Sequence, residues 1–281
     1  MHHYCPSKYG RIAYTDHHPH PTDHTLIFVH GLPTAKELWF PTLSHLHPHF
    51  RTITLDLHDY GESDKLPQFT AKRIGKGLTH QQRADALDEL RAHLQLEQFI
   101  LVTHDLGSSV SIDYIGKYAQ HVQKLIILSP PVYPEFKEPL IVKLVRIPYL
   151  GELLVQIGQK LLLNVGIKRG LVHKNRYTPE LQKALSHAFA GTEGRAALLR
   201  NLRWGRPRTF FKNYPAIIKS ITAPTLIIQG KQDPYIPFSQ VLRLHHNIRH
   251  SRLRFIEDGA HFLPIDTPHQ VAQAINQFLT P

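Results

Sequence analysis

The sequence predicts an α/β fold with one mostly parallel sheet, helices on both faces of that sheet, and a helical insertion. Two observations predict it. Short apolar runs alternate with segments of helical periodicity over residues 1–130 and again over 216–281, whereas residues 131–215 show helical periodicity without a convincing strand. Strands that alternate with helices are typical of parallel sheets covered on both sides. We therefore predict a core of residues 1–130 and 216–281, with residues 131–215 as a helical cap.

Each predicted strand is a short run, and the later ones are continuous apolar runs, the pattern expected when both faces of a strand are buried. These runs are Ile12–Tyr14, Leu26–Val29, Thr52–Leu55, Phe99–Val102, Leu125–Leu128, Thr225–Ile228 and Arg254–Ile256. Helices are predicted at 80–95, 108–120 and 268–279. Thr79 and the Asp266-Thr267-Pro268 sequence supply start signals for the first and last of them.

The positive charge of the chain is concentrated in the predicted cap. The formal net charge is +11, and residues 131–215 contain 15 Lys/Arg against 5 Asp/Glu, while the rest contains 18 against 17. Basic and aromatic residues interleave in one part of the cap, a pattern also found in nucleic-acid contacts: Arg200, Arg203, Trp204, Arg206, Arg208, Phe210, Phe211 and Lys212. We favour a solvated cap surface over a nucleic-acid site, and an anionic substrate or a weak contact with an acidic membrane stays open.

Targeting and redox signals favour a cytoplasmic protein. The N-terminus lacks a basic start followed by an apolar run, and one cysteine, Cys5, allows no internal disulfide. Charged residues interrupt the apolar stretch Leu140–Ile167, which predicts an amphipathic helix pair rather than a membrane span. No zinc-type spacing of Cys and His is present, so no metal is expected. No organic cofactor is expected either. Nothing in the sequence assigns an oligomeric state.

Four of the predicted strands end in residues that could do chemistry. Because ligands of open parallel sheets bind beyond the carboxyl ends of the strands, these residues are expected to meet. The first strand end is the turn His30-Gly31-Leu32-Pro33, and the second is Thr103-His104-Asp105-Leu106-Gly107-Ser108. Asp233 follows the predicted strand Thr225–Ile228, and His261 follows the predicted strand Arg254–Ile256.

The segment around Asp105 has the pattern of a nucleophile elbow, a sharp turn from strand to helix. Such a turn needs small residues around the reactive side chain, and Thr103, Gly107 and Ser108 occupy those positions. Asp105 stands where the G-x-S-x-G motif has serine. The backbone N–H groups of Leu32 and Leu106 are expected to form an oxyanion hole.

Each of these residues also has a purely structural interpretation. Asp105 could cap a helix, Asp233 could initiate a turn, and His261 could be an ordinary buried histidine. Their order along the chain favours chemistry, since nucleophile, acid and histidine is the order of the triad in α/β hydrolases.

The chain resembles the α/β-hydrolase superfamily, and within it the haloalkane dehalogenase and epoxide hydrolase branch. The resemblance is carried by His30-Gly31-Leu32-Pro33-Thr34, by the loop from Asp56 to Asp64, and by His104-Asp105-Leu106-Gly107-Ser108. Gly31-Leu32-Pro33-Thr34 and Ser63-Asp64-Lys65 are also similar to the mesoderm-specific transcript proteins. The resemblance implies a helical cap inserted after the sixth strand.

The resemblance to this branch also implies that Asp105 attacks an electrophilic carbon and forms an alkyl ester. His261, oriented by Asp233, then activates water against that ester. Small-molecule substrate and water are the expected partners.

Two departures bear on the substrate. Dehalogenases of the branch usually hold the halide with side-chain donors at the positions of Leu106 and Leu32, which have none. Epoxide hydrolases use cap tyrosines to polarise the ring oxygen. The sequence offers as leaving-group candidates Tyr149 and Tyr214, then Tyr133 and Tyr177, with Trp204 as a possible indole donor. We expect an epoxide hydrolase-like enzyme, and leave open a dehalogenase-like enzyme or a binding protein that has lost turnover.

Overall fold

A single eight-stranded sheet organises the chain in the computed structural model, which describes residues 3–19, 22, 24–66, 77–203 and 205–280. The strands are β1 His3–Ser7, β2 Gly10–Asp16, β3 Thr25–Val29, β4 Arg51–Leu55, β5 Phe99–His104, β6 Val122–Leu128, β7 Thr225–Gly230 and β8 Ser251–Ile256. Their order in the sheet is β1-β2-β4-β3-β5-β6-β7-β8. The α/β fold predicted from the sequence is confirmed.

Twelve α-helices are assigned within the described residues. They are α1 Phe40–Leu43, α2 His80–His93, α3 Leu106–Tyr118, α4 Leu140–Val145, α5 Leu150–Arg169, α6 Pro179–His187, α7 Gly191–Leu202, α8 Pro207–Phe210, α9 Tyr214–Ser220, α10 Phe238–Asn247, α11 Leu263–Asp266 and α12 Pro268–Leu279. Short 3₁₀ turns cover Lys36–Trp39, Ala119–His121 and Lys174–Arg176.

Strands β3 to β8 run parallel to one another, whereas the N-terminal hairpin of β1 and β2 is antiparallel. Strand β1 pairs antiparallel with β2, and β2 pairs antiparallel with β4. All seven predicted strands are present, but β1 was missed because its sequence, with Pro6 in the middle, has no continuous apolar run. Proline is tolerated there because β1 is an edge strand.

Burial along the sheet separates the central strands from the other edge. Every residue of β3, β5 and β7 is buried, as the continuous apolar runs predict. Strand β8 is different, because its residues alternate between partly buried and exposed, with Arg252 and Arg254 at the surface. The expectation that both faces are covered is wrong for β8, because the face that carries Arg252 and Arg254 is exposed. β8 is also the last strand of the sheet.

Helix α2 begins where the sequence predicts. The Thr79 side chain accepts a hydrogen bond from the Gln82 backbone N–H, and the Gln82 side chain accepts one from the Thr79 N–H. This reciprocal capping box satisfies two donors that the first helical turn leaves open. Helix α12 likewise begins at the predicted proline, Pro268.

The segment between β6 and β7 is helical, and we call residues 131–215 the insertion. Helices α4 to α8 lie within it, and α9 crosses the predicted boundary at residue 215 because Tyr214 begins that helix. The predicted helix pair in Leu140–Ile167 corresponds to α4 and α5. Its outer face is not polar, however, since Ile157 and Leu161 are 75% and 67% exposed. Among the described residues, no helix combines the length and apolarity needed to cross a bilayer.

Candidate active site

The four predicted strand ends meet at the carboxyl edge of the sheet. Strand β3 lies between β4 and β5, so the chain crosses to opposite sides of β3 in forming these two neighbours. Ligands of open α/β sheets bind at such a switch point. The turn after β3 and the elbow after β5 flank it, and Asp233 and His261 reach it from β7 and β8.

Asp105 occupies a strained turn between β5 and α3. Its φ and ψ are 50° and −125°, outside the regions that ordinary residues favour. The Asp105 N–H donates to the Leu128 carbonyl at 3.1 Å, and the Ser108 N–H donates to the Asp105 carbonyl at 2.9 Å. A Cβ on Gly107 would come within 2.6 Å of the carbonyl oxygen of His30. Position 107 therefore needs a glycine, because the backbone of the turn after β3 lies too close for a side chain.

The turn after β3 presents a backbone donor to the Asp105 carboxylate. The Leu32 N–H donates to Oδ2 of Asp105 at 2.9 Å. The approach depends on Gly31, because a Cβ there would lie 2.5 Å from the same oxygen. His30 is fully buried behind the turn: its Nδ1 lies 3.0 Å from the Gly31 carbonyl, and its Nε2 accepts from the Leu57 N–H at 3.1 Å. Burial lowers the pKa of His30 to about 4, so the ring is neutral and fixes the turn.

His261 lies between two carboxylates. Its Nδ1 is 2.9 Å from Oδ2 of Asp233, and its Nε2 is 3.6 Å from Oδ1 of Asp105. The other oxygen of Asp233 accepts from the backbone N–H groups of Tyr235 and Ile236 at 2.7 and 3.0 Å. Asp233 is thereby held in one orientation, and it orients the imidazole in turn.

The backbone of His261 is anchored to three elements. The His261 N–H donates to the Gly170 carbonyl in the insertion at 3.0 Å. The His261 carbonyl accepts from the Ser129 hydroxyl at 3.1 Å, and Nε2 of His104 lies 3.0 Å from it. Burial and the nearby charge of His261 lower the pKa of His104 to about 4, so His104 positions His261 as a neutral donor.

The two carboxylates make His261 a strong base in the free protein. Burial alone would lower the pKa of His261, but the charges of Asp233 and Asp105 outweigh it and raise the pKa to about 10. Burial alone would raise the pKa of Asp105, yet the interaction with His261 and the Leu106 backbone N–H hold it below its ordinary value. The pKa of Asp233 is lowered in the same way by His261. At neutral pH the cluster therefore contains two carboxylates and an imidazolium.

A cavity of about 130 Å³ lies between this cluster and the insertion. Its described lining is mostly apolar and includes the Leu32 and Leu106 side chains. The polar side chains on that lining are Asp105, His261, Tyr235 and Glu138. Such a cavity suits a small apolar molecule with its reactive atom held at Asp105.

Three of the predicted leaving-group tyrosines are absent from the described lining of the cavity beside Asp105. Tyr149 is 88% exposed at the start of α5. Tyr214 is buried, and its hydroxyl donates to Asp113 Oδ2 at 2.7 Å. The Tyr133 hydroxyl accepts from Asn247, the last residue of α10, at 3.1 Å. The hydroxyls of Tyr214 and Tyr133 are hydrogen-bonded to neighbours, Tyr149 is exposed, and a leaving-group role for the three stays a prediction.

The remaining two candidates have different outcomes. The Tyr177 hydroxyl donates to Asn164 Oδ1 at 3.0 Å and does not line the cavity as described. Trp204 lies outside the described residues. Trp39, the other tryptophan, packs against Phe28 with ring centroids 5.0 Å apart.

Sequence reasoning missed two polar residues of the cavity. Tyr235 packs edge-on to the His261 ring at 5.0 Å, and its hydroxyl donates to the Gly166 carbonyl at 2.7 Å. Its position two residues after Asp233 could have suggested it. Glu138 pairs with Arg146, with Nη1 2.6 Å from Oε2, and no motif signals that this carboxylate faces the cavity. No cluster of three or more His, Cys, Asp or Glu suited to a metal ion occurs among the residues described.

Comparison with known proteins identifies the family. Residues 26–274 match the model of a family described as "Alpha/beta hydrolase family". The chain belongs to the alpha/beta hydrolase family. The likeness to the mesoderm-specific transcript proteins stays a prediction.

This alpha/beta hydrolase has relatives with different named activities. It is 25% identical to "Uncharacterized hydrolase YugF" of Bacillus subtilis, over 96% of this chain and 95% of that protein. It is 22% identical to mouse "Epoxide hydrolase 3", over 90% of this chain and 70% of that protein. The solved structure of haloalkane dehalogenase DbeA from Bradyrhizobium elkani superposes with a TM-score of 0.83 at 20% identity, covering 99% of this chain and 97% of that one. That structural likeness supports the fold.

Proposed function

We propose that this alpha/beta hydrolase opens small apolar epoxides through a covalent ester on Asp105. The observation that carries the proposal is the position of the Asp105 carboxylate. One oxygen accepts from the Leu32 N–H at 2.9 Å, and the other faces His261 Nε2 at 3.6 Å. A carboxylate needs no base to act as a nucleophile, and it is suited to attack a saturated carbon. The named activity of the mouse relative supports the same choice.

In the first step, an oxygen of Asp105 forms a bond to a ring carbon, and the bond from that carbon to the ring oxygen breaks. The departing alkoxide needs a proton. On the described lining, Glu138 is paired with Arg146 and the Tyr235 hydroxyl is engaged by Gly166. The His261 imidazolium faces Asp105, and we assign this proton to it.

In the second step, the neutral His261 takes a proton from water, and the resulting hydroxide adds to the ester carbonyl of Asp105. Esterification has removed the charge of Asp105, which had raised the pKa of His261, so His261 stays neutral after giving up its proton and is free to act as the base. The N–H groups of Leu32 and Leu106 hold the oxyanion. Collapse of the intermediate releases a diol and restores the carboxylate and the imidazolium.

Haloalkane dehalogenation is the second candidate, favoured by the fold shared with DbeA. A halide leaving an apolar cavity needs hydrogen-bond donors, because removing an anion from water is costly. The side chains of Leu32 and Leu106, which line the cavity beside Asp105, provide none. Epoxide opening places less demand on the lining, since a proton neutralises the alkoxide.

The test is intact-protein and peptide mass spectrometry of a His261→Gln variant after exposure to epoxides, alkyl halides and oxetanones. The ester should form, more slowly than in the wild type, and then accumulate because its hydrolysis needs His261. A mass increase equal to the whole epoxide, located on Asp105, supports ring opening. An alkyl adduct without its halogen supports the second candidate.

A matched His261→Gln/Asp105→Asn variant serves as the control and should gain no mass. An adduct on any other residue contradicts the mechanism. Absence of any adduct in the variant, together with no consumption of any panel compound by the wild type, favours the remaining alternative, a binding protein without turnover.

A further inference from the structure

We propose that the outer face of α5 docks on the surface of an anionic lipid bilayer. The face consists of Leu153, Ile157, Leu161 and Val165, which follow one another at intervals of four residues and therefore form one row along the helix. They are 52%, 75%, 67% and 57% exposed. A contiguous apolar row at the surface of a soluble fold marks an interaction site more often than chance exposure does.

Further apolar side chains are exposed in the segment that precedes α5. Leu140 and Ile147, from α4 and the turn after it, are 70% and 47% exposed. Tyr149, at the N-terminus of α5, is 88% exposed. Tyrosine is enriched at membrane interfaces because its ring is apolar and its hydroxyl stays hydrated. An amphipathic surface of this composition is typical of segments that lie in the interfacial plane of a bilayer.

Positive charge surrounds this face. Exposed basic side chains on or beside it are Lys143, Lys160, Lys168 and Arg169, and none forms an ion pair with another described residue. The one acidic residue of α5, Glu152, is paired with Arg203 at 2.7 Å. The combination of an apolar row with unneutralised cations complements an anionic headgroup layer above a hydrocarbon layer.

The same charges argue against a second copy of the chain as the occupant. A twofold interface would place this face against itself and would gather Lys160, Lys168 and their copies in one contact, with the one acidic residue of α5 already paired to Arg203. Nucleic acid is also disfavoured, because it would leave the apolar row in contact with phosphates. An anionic bilayer offers headgroups that pair with the cations and a hydrocarbon layer that buries the apolar row.

Docking in this orientation would place the candidate active-site cavity next to the lipid. Leu162, Leu163 and Gly166 line the cavity from the other side of α5. One helix thus separates the cavity from the exposed row, and apolar molecules dissolved in the bilayer would have a short path to it. The docking proposal itself does not depend on the role assigned to Asp105.

The experiment is cosedimentation of the full chain with vesicles of phosphatidylcholine alone or with about one quarter phosphatidylglycerol. We expect strong binding to the anionic vesicles, weak binding to the neutral ones, and a loss of binding in about 0.5 M NaCl. An Ile157→Glu/Leu161→Glu variant should bind at least roughly tenfold more weakly. A Lys160→Glu/Lys168→Glu variant should lose the preference for anionic lipid.

The control variant is Leu242→Glu, which changes a 47% exposed leucine on α10 outside the proposed face. It should bind like the wild type, and circular dichroism should report the same fold for all variants. The proposal is overturned if the wild type does not bind anionic vesicles, or if the Ile157→Glu/Leu161→Glu variant binds as well as the wild type. A dimer that dissociates in that variant, without vesicle binding by the wild type, would identify a second copy as the occupant.

Discussion

Arg200, in helix α7 of the insertion, forms a two-point ion pair with Asp59, in the loop after β4. The Arg200 Nε and Nη2 atoms lie 3.0 and 2.5 Å from the two carboxylate oxygens. The Asp59 side chain is fully buried and that of Arg200 is 5% exposed. Asn201 adds a hydrogen bond to the Asp59 carbonyl at 3.3 Å. This pair joins the insertion to the loop that follows β4, the strand next to β3 in the sheet.

An Arg200→Met variant should be destabilised by about 3–5 kcal/mol, because it leaves the Asp59 carboxylate buried without its partner. Chemical denaturation measures the change. An Asp59→Asn/Arg200→Met double variant should recover much of the loss, since neither charge of the pair remains, and asparagine tolerates the positive φ of 70° at position 59. If the single and double variants are equally unstable, the ion pair is not the source of the effect.

The pKa of His261 should fall when the charge of Asp105 is removed. In the folded protein Asp233 and Asp105 together raise that pKa to about 10. An Asp105→Asn variant retains the shape of the side chain without its charge, so we expect the pKa to drop by at least about one unit. Nuclear magnetic resonance titration of the ring follows it directly. An unchanged pKa would show that Asp105 and His261 do not interact as the geometry implies.

The stability contributed by His261 should depend on pH. Its pKa is raised above the ordinary value of 6.5, so its stabilising effect is fully present below that value and is lost as pH rises through about 10. The difference in unfolding free energy between the wild type and a His261→Gln variant should therefore shrink between pH 7 and pH 10. A difference that stays constant across this range contradicts the raised pKa.

Gly31 should be required for activity because of its closeness to the nucleophile. A Cβ at this position would lie 2.5 Å from Asp105 Oδ2 and 2.8 Å from the His104 carbonyl oxygen. Displacing a reacting group by about 1 Å can cost roughly 100-fold in rate, so we expect a Gly31→Ala variant to lose about that much in kcat/KM. The matched control is Gly158→Ala on α5, where the nearest atom to a Cβ is 3.8 Å away. Comparable activity losses in both variants would contradict this account.

The sequence predicts the sheet and the chemical cluster well, because both depend on local patterns. The buried runs of β3, β5 and β7 are continuous and apolar, and Asp105 and Asp233 follow two of them. His261 follows β8, which has fewer apolar residues but ends at the same edge of the sheet. The structure brings these three residues together, as the common edge of a parallel sheet requires. Their catalytic roles stay a proposal.

The insertion is harder to predict because its helices are placed by tertiary packing. Helical periodicity shows that Tyr149 and Tyr214 lie in or beside helices, but not which way their side chains face. The structure exposes the first and buries the second against Asp113. The contact of Glu138 with the cavity depends on a pairing with Arg146 that no local pattern indicates. β1 was missed for a related reason, since its pairing with β2 compensates for a weak strand sequence.

The central claim is that Asp105 is the nucleophile, and a single-turnover reaction in oxygen-18 water tests it most directly. Enzyme in excess over a small apolar epoxide is allowed one turnover, and both the diol and the peptide containing Asp105 are examined by mass spectrometry. If Asp105 attacks the ring, its own oxygen enters the diol and the label enters the Asp105 carboxylate. The account therefore predicts an unlabelled diol and a labelled peptide. A labelled diol with an unlabelled Asp105 would mean that water attacks the ring directly, and would contradict it.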